Sequence, residues 1–226
     1  MTSKKIDAGI LGTGFYVPER VLTNFDLEKM VDTSDEWIVE RTGIRERRIA
    51  PEETPVSELA CRAAKKALSD AGVAAEDLDL IIFATLTADC VCPSAASVVQ
   101  NRLGAKHAAA FDLSAACSGF VYASTVAVQF ITAGAYRRVL VIGGETLSKY
   151  VDWQDRNTCV LFGDGAGAAV YGPVEPGYGM LSFDLGSDGS GADYLGIPAS
   201  GSRCMITEET IAKRLNRIHM DGPEVF

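Results

Sequence analysis

The sequence predicts an α/β fold in which a mostly parallel sheet is layered with helices. Three observations predict it. The apolar run Leu80-Ile-Ile-Phe-Ala84, inside a strand expected over 78–86, is continuous rather than alternating, the pattern of a parallel strand covered on both faces. Thr54 to Ala71 carries Val56, Leu59, Ala60, Ala63, Ala64, Ala67 and Leu68 on one helical face, with Gly72 as its stop. From there strand-like and helix-like segments alternate as far as residue 143.

Taken in order, Ala8 to Val17 reads as the first strand, with Gly12 and Gly14 permitting close backbone approach. This G-T-G lacks the third glycine and the directly following helix of a dinucleotide loop, so that reading is weak. Thr23-Asn24 can cap a short helix over 25–31, and Thr33-Ser34 a second over 35–41 that has acidic residues in its first turn. Helices follow over 95–103 and 119–133, and strands over 108–113 and 138–143. Thr158 to Phe162 and Ala166 to Tyr171 read as one strand interrupted by Gly163-Asp-Gly-Ala-Gly167, a cluster without the lysine and serine of a phosphate loop. Pro173-Val-Glu-Pro176 breaks the rhythm, Gly179 to Leu185 starts a new strand, and 208–216 is weakly helical. A helix is expected to begin at the end of the chain.

With 226 residues, 47% hydrophobic and 23% charged, the chain suits one large or two small water-soluble domains. No run reaches bilayer length, and Met1 to Asp7 lacks the apolar core of a signal peptide. Six cysteines in a chain this long point to reduced thiols in a cytoplasmic setting. Cys90 and Cys92 form a lone C-x-C, and with only two histidines in the chain no metal site is expected. A net charge of −9 argues against nucleic-acid binding.

Two stretches carry candidate chemistry. Phe111 to Phe120 passes from a strand end through small residues into a helix, with Cys117 at the junction. A helix start favours the thiolate, which is the nucleophile. The same cysteine could equally be a small buried hydrophobe. Arg41 to Arg48 places four arginines in eight residues, one helical turn after Trp37. Such a run is either a solvated charged face or an anion clamp in which an indole takes a nucleotide ring beside its phosphates.

Together these segments resemble the β-ketoacyl-acyl-carrier-protein synthase III family. The matching text is Gly12-Thr-Gly-Phe-Tyr-Val-Pro18, Asp32-Thr-Ser-Asp-Glu-Trp-Ile38, Arg41-Thr-Gly-Ile-Arg-Glu-Arg47, Pro93-Ser-Ala-Ala96, Phe111 to Phe120, Asp155-Arg156, Phe162 to Ala168 and His219-Met-Asp-Gly222. The resemblance implies a thiolase-like α-β-α-β-α fold of two similar halves, the first over 1–173 and the second begun over 174–226. It implies an acyltransferase that starts type II fatty-acid synthesis. Cys117 takes an acyl group from acyl-CoA. Malonyl-acyl-carrier protein then loses CO₂ and attacks the acyl-cysteine to give 3-oxoacyl-carrier protein. By the same resemblance, Thr33, Trp37, Arg41 and Arg156 would line the CoA site, and Cys92 and Phe162 the acyl pocket. A homodimer is implied, with no cofactor beyond the substrate CoA and no membrane partner.

The chain departs from that pattern in two places. The family's late histidine and asparagine, which serve decarboxylation, lie beyond Phe226. His107 and His219 are expected to be structural. The expectation is therefore a truncated chain, or half of a two-chain enzyme, with little condensation activity of its own. Alternatives are a related acyl-CoA condensing enzyme outside fatty-acid synthesis and a non-catalytic CoA-binding fragment. Cys92 stands where acetyl-selective members carry phenylalanine, which implies a pocket open to longer or branched primers.

Overall fold

The computed structural model describes residues 6–225. Its elements run β1 (Ala8–Tyr16), β2 (Arg20–Thr23), α1 (Asn24–Leu27), α2 (Asp35–Thr42), β3 (Glu46–Ile49), α3 (Val56–Ala71), β4 (Leu80–Ala84), α4 (Ala95–Leu103) and β5 (Ala109–Leu113). There follow α5 (Gly119–Thr132), β6 (Val139–Thr146), α6 (Arg156–Cys159), β7 (Asp164–Pro173), β8 (Leu195–Gly196), α7 (Glu208–Ala212), β9 (His219–Met220) and α8 (Gly222–Val225). The chain forms two compact units. One comprises the chain up to Pro18, Pro51–Glu145 and Gly165–Leu185; the other Glu19–Ala50, Thr146–Asp164 and the chain from Gly186 onward.

The first unit is built on a five-stranded sheet in the order β1-β7-β6-β4-β5. β4 pairs in parallel with both β5 and β6, whereas β1 runs antiparallel to β7, so the sheet is mixed. All five residues of β4 are buried, as its unbroken apolar run requires. Leu80, Ile82 and Ala84 pack with Ala123, Ala127 and Ile131 of α5. The alternate residues Ile81 and Phe83 point to the opposite face and are just as fully buried. α3 lies against β1 at very short range. A methyl group on Gly12 would fall 2.3 Å from the Ala71 nitrogen, and one on Gly14 2.4 Å from that of Ala67. The G-T-G motif is thus a helix-to-strand packing device. Gly72 ends α3 in the left-handed conformation (φ 62°), its N–H returning to the Leu68 and Ser69 carbonyls.

The second unit is organised around Leu22, Leu27, Ile38, Ile49, Val151, Cys159, Val160 and Ile218. β2 and β3 form a two-stranded antiparallel sheet pairing Arg20 with Ile49 and Thr23 with Glu46. The arginine-rich run is therefore half strand. Arg47, paired with Leu22, is 5% exposed. A solvated face and an external clamp both fail for this one residue.

Two expected strands are corrected. Residues 156–159 form the short helix α6, opened by Asp155, whose carboxylate accepts from the Asn157 N–H at 3.0 Å. β7 then runs unbroken from Asp164 through the glycines. The Asp164 carboxylate accepts from the N–H groups of Ala50 (2.6 Å) and Ser148 (2.9 Å) and from the Ser148 hydroxyl (2.6 Å), which fixes this buried acid at the start of β7. Residues 179–185 form no strand; Gly179 takes φ 97° and Met180 N–H donates to the Ala8 carbonyl at 3.0 Å. The helix expected at the chain's end does begin, as α8.

Candidate active site

Cys117 stands at the carboxyl ends of three parallel strands. β4 and β5 end in register at Ala84 and Leu113, and Ala84 pairs with Gly143 of β6. In open α/β sheets that end is where ligands bind. The chain leaves β5 through Ser114 and Ala115 into a 3₁₀ turn, Ala116–Ser118, before α5 begins at Gly119. The cysteine therefore sits at the strand-to-helix junction, just ahead of α5. Ala116 has φ 46°, a left-handed conformation that costs a non-glycine residue about 1–2 kcal/mol. Gly119 is buried, and a methyl group there would lie 3.1 Å from the Ala84 Cβ. Cys117 itself is exposed as a free thiol.

The surrounding loops are held by two carboxylates. Asp112 of β5 accepts from the N–H groups of Ala95 and Ala96, both at 2.7 Å, anchoring the first turn of α4 and with it the preceding Cys92-Pro93-Ser94. Glu145 of β6 accepts from the N–H groups of Leu86 (2.7 Å) and Thr87 (3.0 Å) and from the Thr87 hydroxyl (2.5 Å). Burial raises the Glu145 carboxyl above the usual glutamate range, outweighing these hydrogen bonds. Cys92 lies on the exposed loop between these anchors.

In the second unit, α2 presents Trp37 and Arg41. Ser34 caps it, accepting from the Trp37 N–H at 3.1 Å, and Gly43 closes it at φ 72°. The Arg41 guanidinium stacks 4.5 Å from the Trp37 ring centroid and that of Arg156 lies 4.7 Å away, so two cations share one indole. The ion pairs of these arginines, Arg41–Glu40 at 3.6 Å and Arg156–Asp32 at 3.8 Å, are exposed and contribute little. Beside the indole opens a cavity of about 690 Å³ lined by Trp37, Arg41, Asn157, Val160, Tyr194 and His219. The Thr33 hydroxyl is buried and has no hydrogen-bond partner among the described residues. Phe162 packs, partly buried, against the apolar core of this unit. His219 Nε2 lies 3.0 Å from the Arg214 carbonyl, a structural contact.

The structure thus gathers Trp37, Arg41 and Arg156, and places Cys117 and Cys92 in the other unit. Sequence reasoning missed Asp112, Glu145 and Asp164, and gave Asn24 and Arg47 other roles, a helix cap and part of an anion clamp. Among the described residues no group of three or more His, Cys, Asp or Glu side chains could hold a metal ion, and no helix is long and apolar enough to cross a membrane.

The family model for 3-oxoacyl-[acyl-carrier-protein (ACP)] synthase III matches residues 111–189, beginning at the strand that leads to Cys117. The chain is 62% identical over 223 residues to the β-ketoacyl-[acyl-carrier-protein] synthase III of Caldanaerobacter subterraneus subsp. tengcongensis, covering 99% of this chain and 67% of that protein. It is 60% identical to the Desulfitobacterium hafniense protein of the same name, again over 67% of its length. The chain belongs to the β-ketoacyl-[acyl-carrier-protein] synthase III family. The solved synthase III of Aquifex aeolicus superposes with a TM-score of 0.85 at 50% identity, covering 96% of this chain and 66% of that one. The α/β, thiolase-like fold expected of the family is therefore the fold observed. The chain spans about two thirds of the length of these synthase III relatives.

Proposed function

We propose that this chain carries the acyl-transfer centre of a synthase III that begins type II fatty-acid synthesis. The Cys117 thiolate attacks the thioester carbonyl of an acyl-CoA; the C–S bond to CoA breaks and CoA leaves as its thiolate, leaving acyl-Cys117. The Cys117 N–H is one donor to the oxyanion formed on the way. Malonyl-acyl-carrier protein then loses CO₂, and its carbanion displaces Cys117 to give 3-oxoacyl-carrier protein. Trp37 stacks on the CoA adenine, and Arg41 and Arg156 pair with its phosphates, with Thr33 just ahead of the α2 that carries Trp37 and Arg41. The observation that carries this reading is the exposed Cys117, perched on the left-handed Ala116 at the carboxyl ends of β4, β5 and β6.

Intact-mass measurement after incubation with isobutyryl-CoA tests it. One acyl adduct is expected, absent in Cys117→Ser. Arg41→Ala is expected to need roughly tenfold more isobutyryl-CoA, the effect of losing one charge-assisted phosphate contact. An adduct that survives Cys117→Ser defeats the reading; CoA binding with no adduct makes the chain a binding fragment. Cys92, smaller than the phenylalanine of acetyl-selective members, predicts acylation by isobutyryl-CoA at least as fast as by acetyl-CoA. Strict acetyl preference would contradict that.

A further inference from the structure

Arg47 is a guanidinium buried without a carboxylate. It donates to the Leu22 carbonyl (3.2 Å), the Asn24 Oδ1 (2.8 Å) and the Val160 carbonyl (3.1 Å), and its Nε has no partner among the described residues. Burying a cation against neutral oxygens is a poor source of stability, and an apolar residue of similar size often serves a core better. What Arg47 holds is more informative.

Asn24 is fully buried. Its Nδ2 donates to the Asp35 carboxylate at 2.8 Å and to the Ile44 carbonyl at 2.7 Å. Asp35 is the first residue of α2, and Ile44 follows the Gly43 that closes it. One amide therefore grips both ends of the helix that presents Trp37 and Arg41, and Arg47 grips the amide. The third Arg47 contact, Val160, directly follows α6, the helix that carries Arg156. Val160 also lines the same cavity as Trp37 and Arg41. Both walls of the indole cavity thus meet at Asn24 and Arg47.

We infer that Asn24, Arg47 and Asp35 are positioning residues for nucleotide binding, setting the distance at which Arg41 and Arg156 close on Trp37. The inference rests on the reading of that cavity as the CoA site.

The test measures CoA affinity by calorimetry alongside the rate at which iodoacetamide modifies Cys117, followed by peptide mass. Asp35→Ala removes the acceptor at a partly exposed position; Asp35→Asn keeps one. Asn24→Asp keeps the side-chain size and the acceptor for Arg47 but loses both donated bonds. The expected result is CoA binding weakened roughly tenfold in Asp35→Ala and in Asn24→Asp, with Asp35→Asn within about twofold of the unsubstituted chain. Cys117 modification is expected to be unchanged throughout. A general loss of structure would move that rate and would not be rescued by the asparagine. Should Asn24→Asp fail to fold, the Asp35 pair decides. Folded Asp35→Ala with CoA affinity within twofold of the unsubstituted chain overturns the inference. Absence of CoA binding by the unsubstituted chain, or full affinity in Arg41→Ala, removes the CoA site itself and this inference with it.

Discussion

Ala116 is exposed, so the strain at φ 46° is purely a matter of backbone conformation. A β-branched side chain makes that conformation costlier while meeting only solvent. Ala116→Val is expected to lower the urea midpoint by an amount equivalent to roughly 1–3 kcal/mol, with the slope unchanged. At Glu145 the linkage has a definite sign. Its folded-state pKa is raised above the ordinary value of 4.5 by burial. Its contribution to stability is therefore fully present below that value and is lost as pH rises through the folded-state pKa. Glu145→Gln cannot ionise. Relative to the unsubstituted chain its urea midpoint is expected to improve steadily as pH climbs above 4.5, and a pH-independent difference would contradict this assignment. Cys117 was legible as a residue because its cue is local: small neighbours at a strand-to-helix passage. Glu145 was not, because its donors lie 58 and 59 positions away.

At the scale of elements, the contact of β1 with α3 in the first unit leaves no room for a side chain. A methyl group on Gly12 meets Ala71 backbone atoms at 2.3 and 2.6 Å, and backbone cannot rotate out of the way as a side chain can. Gly12→Ala is expected to cost about 1–3 kcal/mol or more, read as a lowered urea midpoint. The helices 56–71, 95–103 and 119–132 were legible almost to the residue, since amphipathic spacing and glycine stops are properties of the chain itself. The pairing of β2 with β3 was not. Its arginines obscured the alternation, and its partner strand lies across two helices of sequence. The interrupted fifth strand was misread for a related reason. Thr158 and Cys159 are buried and β-prone, yet the Asp155 cap turns them into helix, while Gly165 and Gly167, expected to break the strand, lie within it.

Over the whole molecule, the first unit leaves apolar side chains facing water. Tyr178 is 71% exposed, Leu181 84% and Phe183 51%, all within one short segment. Isolated exposed hydrophobes are ordinary, but a run of them is not. The native chain is expected to enhance the fluorescence of an apolar dye such as ANS, and Leu181→Ser with Phe183→Ser to reduce that signal without lowering the urea midpoint. An unchanged signal would place the dye elsewhere.

The sequence alone determined the family and the fold class, along with the nucleophile candidate and the Trp37–Arg41 pair. Each of these is written in residues a few positions apart, where period, turn chemistry and motif spacing act directly. Only the tertiary structure decided that Arg47 is buried, that Arg156 completes the stack on Trp37, and that Asn24, Asp112, Glu145 and Asp164 anchor the loops. Those roles depend on partners as much as 113 or 114 positions away, as with Arg47 and Val160 or Asp164 and Ala50. A buried polar residue is defined by what surrounds it, and its surroundings exist only once the chain has folded.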